Sequence, residues 1–175
     1  MRKFHHSPLG VIAAISAAIL CLTTPQAVAV SGPGEPRVLA SASESTKEIA
    51  RENAAAVARG ANVCGPNYNL ASADPLPFGV APAQRKGVLF NYTTADNKTA
   101  CAIFDNNTGL KTYMELKSCP GTDTNSSKCS KDAGYFLEYA GPTYTSTSGP
   151  RGTCWVHKAW MALLIDDAIT YGFVC

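Results

Sequence analysis

The chain has 175 residues, with 15 basic against 13 acidic side chains. That near balance, with no basic patch, RNA-binding signature or metal-spaced Cys/His cluster, argues against nucleic-acid binding and against a metal or other cofactor. No apolar run reaches the roughly 20 residues that span a bilayer, so no membrane association is expected once the leader is removed.

In chain order, the first element is an export signal over residues 1–29. Arg2 and Lys3 give a positive start, Leu9 to Leu22 is an apolar run of 14 residues, and Ala27-Val28-Ala29 offers a cleavage site. Leu20 before Cys21 argues against a lipoprotein signal, and the lack of an Arg-Arg pair favours the general export route. Cleavage leaves 13 basic against 13 acidic residues and six cysteines: Cys64, Cys101, Cys119, Cys129, Cys154 and Cys175. An even count in a short exported chain predicts three disulfides in an extracellular, oxidising setting.

Residues 30–61 are rich in Ala, Ser, Gly and Pro and contain no cysteine or aromatic residue. They read as a flexible spacer, or as a pro-segment or wall tether. One short helix is possible within them, with Ser45 and Glu48 as a capping box, an Ala-rich stretch over 46–59 and Gly60 at the end. Its apolar face, essentially Ile49 and Val57, is thin.

The folded unit is expected over residues 62–175, as an all-β, disulfide-stabilised antiparallel β-sandwich or barrel-like domain. Val88, Phe90 and Tyr92 alternate along 87–93, the turn Thr94-Ala95-Asp96-Asn97 follows, and 99–104 completes a hairpin. Asp105-Asn106-Asn107-Thr108-Gly109 makes the next turn before a strand at 110–116. Further strands are expected at 134–140, 142–146, 152–157 and 169–174, while 158–167 reads equally as a buried strand or a short helix. Cys119 and Cys129 enclose a polar segment that needs a local clasp. Their pairing leaves four cysteines with three connectivities, of which Cys64–Cys101 and Cys154–Cys175 tie the domain's ends to neighbouring strands.

Cys64-Gly65-Pro66-Asn67-Tyr68, the run Gly87 to Tyr92 followed by Cys101-Ala102, and above all Asp132-Ala133-Gly134-Tyr135-Phe136-Leu137-Glu138-Tyr139-Ala140-Gly141-Pro142-Thr143-Tyr144 carry a resemblance. They are similar to the spore-associated protein A family of secreted actinobacterial proteins, as is the terminal Cys175. The resemblance covers most of residues 64–175 and departs near the end, where Cys154 is followed by Trp155-Val156-His157-Lys158-Ala159 in place of the family's C-x-x-W-G-G. It implies secretion and association with the spore or cell surface, and no reaction. The family has four cysteines, so Cys119 and Cys129 look like an added pair.

Candidate chemistry is sparse. After cleavage one histidine remains, His157, and no nucleophile-elbow pattern frames a serine beside it. Asp166-Asp167 are adjacent carboxylates that a strand would send to opposite faces, and Glu138 reads as solvent-facing. A non-catalytic role is therefore expected. Tyr135, Tyr139, Tyr144, Trp155 and Trp160 are the candidate partner-binding aromatics, with core packing as the alternative use of the same rings. A protease inhibitor presenting Lys128 or Arg151 is a further alternative. Four N-x-[ST] sequons, at Asn91, Asn97, Asn106 and Asn125, read as ordinary strand and turn composition. The reading is a secreted surface or interaction protein of the spore or cell wall; the alternative is an inhibitor or a glycan- or protein-binding module.

Overall fold

Among the described residues, alternating apolar positions and turn-forming Asn, Asp and Gly produce eight strands in two antiparallel sheets. The computed structural model describes residues 37–146, 154–163 and 168–174. The export signal, Arg151, Asp166, Asp167 and Cys175 lie outside the described residues.

The first sheet has the order β1-β2-β3-β6, from β1 (Tyr68–Leu76), β2 (Gly87–Thr94), β3 (Thr99–Asn106) and β6 (Tyr139–Ser146). The second has the order β5-β4-β7-β8, from β4 (Thr112–Pro120), β5 (Ser130–Phe136), β7 (Trp155–Met161) and β8 (Ala168–Val174). This is the sandwich arrangement expected. The β2–β3 hairpin falls where the alternation placed it, and 158–161 continue β7 as strand. The stretch 134–140 is not one strand: it breaks at Leu137-Glu138, between β5 and β6. β1 has no counterpart among the expected strands.

Between the sheets, Leu76, Leu89, Ala102 and Phe104 from the first pack with Met114, Leu116, Ala159 and Met161 from the second. The other side of the first sheet is apolar as well. Val88, Phe90, Tyr92, Cys101 and Ile103 pack with Ile49, Ala50, Val57 and Ala61 of two helices, α1 (Glu44–Glu52) and α2 (Ala54–Cys64). Strand β2 is therefore buried on both faces. Burying side chains such as Val88 and Phe90 contributes roughly 1.5–3 kcal/mol each.

These helices correct the flexible reading of residues 30–61 from residue 37 onward. The thin face of Ile49 and Val57 suffices because α1 packs on β1 and the alanine-rich α2 sits close on β1, β2 and β3, in one apolar cluster with Phe90 and Tyr92. Arg37 adds a second anchor. Its guanidinium donates to the carbonyls of Ala61 (3.0 Å), Gly65 (2.9 Å) and Pro66, satisfying acceptors at the end of α2, while Val38 bridges Leu70 of β1. The N-cap of α1 is Ser43, two residues before the expected Ser45, and its hydroxyl accepts from the Thr46 amide at 3.1 Å. Gly60 does not end a helix. It lies inside α2, where an added Cβ would clash with the Tyr92 hydroxyl.

Two disulfides match the expected pairing. Cys64–Cys101 ties α2 to β3, and Cys119–Cys129 closes the segment between β4 and β5. Cys154 is also disulfide-bonded. Its expected partner, Cys175, lies outside the described residues.

Candidate functional site: the outer face of the second sheet

The two sheets differ on their outer sides. Both helices pack against the first sheet, whereas the outward positions of β4, β5, β7 and β8 carry aromatic and charged side chains. Alternation on β4 puts Met114, Leu116 and Ser118 inside and Tyr113, Glu115 and Lys117 outside. Register then lines up neighbours from other strands.

Tyr113 lies opposite Tyr135 of β5, with ring centroids 5.3 Å apart, and its ring also meets Trp160 of β7 at 5.7 Å. Both contacts are edge-to-face, the geometry that ring quadrupoles favour. Tyr135 is 67% exposed. Further along the strands a second row runs Lys131, Lys117, Lys158 and Tyr171, each opposite the next. Glu115, between Tyr113 and Lys117 on β4 and opposite Trp160, accepts from Lys131 at 2.6 Å and Lys117 at 3.2 Å. The Lys131 hydrogen bond is the main reason the Glu115 carboxyl lies below its ordinary range, and the same bond raises Lys131. Lys158 lies 5.9 Å from the centre of the Tyr171 ring.

Of the five aromatics singled out in the sequence, the structure brings Tyr135 and Trp160 together here. Trp155 does not belong with them: it is 1% exposed and packs with Ala100 and Ala71. Tyr139 is half-buried on the helix side, 5.4 Å from the Arg59 guanidinium, which pairs with Asp105 at 2.8 Å and Glu138 at 3.3 Å. Tyr144 is exposed on that same side, its hydroxyl donating to the Val63 carbonyl at 3.3 Å and its ring against Tyr68. Sequence reasoning missed Tyr113, Glu115, Lys117, Lys131, Lys158 and Tyr171. The signal was present on β4, where Tyr113, Glu115 and Lys117 occupy alternate positions.

His157 sits between the sheets, fully buried, with Nδ1 2.6 Å from the Ser118 hydroxyl; that hydroxyl is 2.6 Å from Thr143 Oγ1. Burial pushes the imidazole down to about 4, so the ring is neutral at physiological pH. A serine–histidine contact has the elements of an activated nucleophile. Ser118, Thr143 and His157 are each at most 1% exposed, however, so no substrate reaches them while the sandwich is closed. Nearby, Asn91 donates to Asp74 and Ser72, both at 2.8 Å, and is itself fully buried in β2. Among the described residues no three His, Cys, Asp or Glu side chains gather where they would hold a metal ion.

Asn106 organises one end of the sandwich. Its backbone N–H donates to Glu138, its side-chain amide donates to the carbonyls of Leu110 (2.8 Å) and Phe136 (2.9 Å), and its carbonyl accepts from Thr108. No family model matches the chain, and no curated protein or solved structure matches it either.

Proposed function

We propose that this chain is a secreted, non-catalytic interaction protein of the spore or cell surface that binds through the outer face of its second sheet. The observation that carries the reading is the Tyr135–Tyr113–Trp160 row on a side that neither helix covers. Rings in mutual contact lose little further conformational freedom on binding and offer apolar area with polar edges. The resemblance to the spore-associated protein A family supports the surface location, and the disulfides suit an oxidising environment. The burial of the Ser118–His157 pair supports a role without catalysis.

The test is retention. The exported protein should co-fractionate with spore or wall material, and a Tyr135→Ala/Trp160→Ala variant with unchanged circular dichroism should shift to the clarified medium. Equal retention of both proteins, or recovery of the unaltered chain only in the medium, refutes the reading.

The inhibitor alternative has one supporting observation, the Cys119–Cys129 clasp with Lys128 exposed beside it. The clasped segment is curled by successive turns, with Ser126 N–H donating to the Asp123 carbonyl and Cys129 N–H to that of Ser126. An extended strand, the shape that adds to a protein cleft by main-chain pairing, is not what this loop presents. Stoichiometric inhibition of a trypsin-like protease, lost in Lys128→Ala, would reinstate it.

A further inference from the structure

The lysine row is not explained by stability. Exposed ion pairs are typically worth about 0–1 kcal/mol. Yet three lysines of three different strands, Lys131, Lys117 and Lys158, stand side by side across the face, where like charges directly opposite one another disfavour pairing. Among the described residues Glu115 is the one carboxylate paired within the row, bonding Lys131 and Lys117, and Lys158 has no carboxylate partner. Three positive charges against one negative leave a local excess of positive charge beside the aromatic row. On β4 and β5 the two rows are four residues apart (Tyr113 to Lys117, Tyr135 to Lys131) and on β7 two (Trp160 to Lys158), roughly 7–13 Å at about 3.3 Å per residue.

Resting on the reading above, we propose that the ligand of this face is an acidic polysaccharide, its rings seated on Tyr135, Tyr113 and Trp160 and its anionic groups on the lysine row. Charge complementarity selects an anionic occupant. A protein partner fits less well, because interface cores are depleted of Lys and Glu, and here Glu115 and Lys117 stand on the interior strand β4 with Lys131 beside them on β5. A hydrated polymer with apolar ring faces and charged substituents leaves those side chains in water at its edge. The bonds from Glu115 to Lys131 and Lys117 position two ammonium groups before the ligand arrives, which reduces the ordering cost.

The experiment uses the full exported chain and immobilised polygalacturonate, the same polymer fully methyl-esterified, heparin, and poly(dT). The proposal expects binding to polygalacturonate or heparin that weakens tenfold or more between about 50 and 300 mM salt, within the range where screening acts on exposed charges. It also expects tenfold weaker binding to the neutral ester, and a similar loss for Lys117→Gln/Lys158→Gln with thermal stability unchanged. Failure to bind either acidic polysaccharide overturns it, as does tighter binding to poly(dT). Equal affinity for the acidic and esterified polymers, insensitive to salt, overturns the charge inference alone and leaves the aromatic face as a neutral-glycan site. Loss of wall retention in Tyr135→Ala/Trp160→Ala then still tests the parent reading separately.

Discussion

Asp74, partly buried in β1, and His157, fully buried in β7, have opposite pH dependences, and replacing Asp74 with asparagine separates them. Gly172 is opposite His157 in register, and a Cβ on it would clash with the Asn91 side-chain amide and lie 2.7 Å from Asp74 Oδ2, so only glycine leaves room there for the Asn91–Asp74 pair. Burial is the dominant influence on both: it raises the Asp74 carboxyl to about 6, against the hydrogen bonds from Ser72 and Asn91, and lowers His157 to about 4. An acid raised on folding contributes stability that is complete below its unfolded value near 3.8 and lost as pH rises through about 6. At about 1.4 kcal/mol per pH unit, ionised Asp74 is a penalty of about 3 kcal/mol at pH 7. His157 has the reverse sign. Its contribution is complete above its unfolded value of 6.5 and falls, by about 3 kcal/mol, as pH drops through about 4. In the unaltered protein the two changes nearly offset between about pH 4 and 6.5. Asp74→Asn keeps the acceptor for Ser72 and Asn91 and removes the charge. It should stabilise the fold at pH 7 by about 1–3 kcal/mol, the lower part reflecting weaker hydrogen bonds to a neutral amide. The gain should vanish by about pH 4. Urea unfolding at pH 4, 5.5 and 7 with disulfides intact, followed by tryptophan fluorescence, measures it. The difference between the two proteins isolates Asp74, because Glu115 and other lysine-paired carboxylates contribute equally to both. A variant less stable than the parent at pH 7, or a constant difference across the range, would refute the reasoning.

Three further outcomes are expected. Gly60→Ala, which in an open helix would stabilise by about 0.5–1 kcal/mol, should instead destabilise by about 1–3 kcal/mol because its methyl meets the buried Tyr92 hydroxyl, and adding Tyr92→Phe should recover part of the loss in a thermal melt. Asn106→Ala should cost about 1–2 kcal/mol by urea unfolding, since it removes the partner shared by the part-buried Phe136 carbonyl and the Thr108 amide, while the Leu110 carbonyl keeps the Thr108 and Thr112 hydroxyls. With loops of 37 and 10 residues, removing Cys64–Cys101 should cost about 4 kcal/mol and removing Cys119–Cys129 about 3 kcal/mol, and denaturation of the paired Cys→Ser variants should reproduce that order.

The β2–β3 hairpin was legible because Val88, Phe90 and Tyr92 alternate ahead of an Asp-Asn turn. β1 was hidden by its own polar residues. Ser72 and Asp74 point inward to bond Asn91, and Pro75 sits where it does no harm because β1 is an edge of its sheet. The helices were obscured for a different reason. Composition judged residues 37–61 in isolation, whereas their stability comes from docking on β1, β2 and β3, outside that stretch, held by Arg37 and the Cys64–Cys101 bond.

Where the aromatics ended up depends on the strands' parity, which composition does not report. Tyr135 and Tyr139, four apart, would share a face of one strand; the turn at Leu137-Glu138 sends them to different sheets. Tyr139 and Tyr144, five apart, would lie on opposite faces. A register shift opposite Ala102/Phe104 resets the alternation at Gly141-Pro142, so both face the helix side. Gly141 is required there, with φ at 110° and the Ala102 carbonyl 2.8 Å from where a Cβ would be. Trp155 and Trp160 follow β7 without interruption, so their odd spacing puts one in the core and one outside. The lysine row is the least legible of all. Lys117, Lys131 and Lys158 become neighbours only through the β5-β4-β7 register, and in the sequence each is an unremarkable surface lysine. A binding face assembled from one residue per strand leaves no local motif, which is why the charge count alone argued for neutrality while one face of the second sheet carries an excess of positive charge.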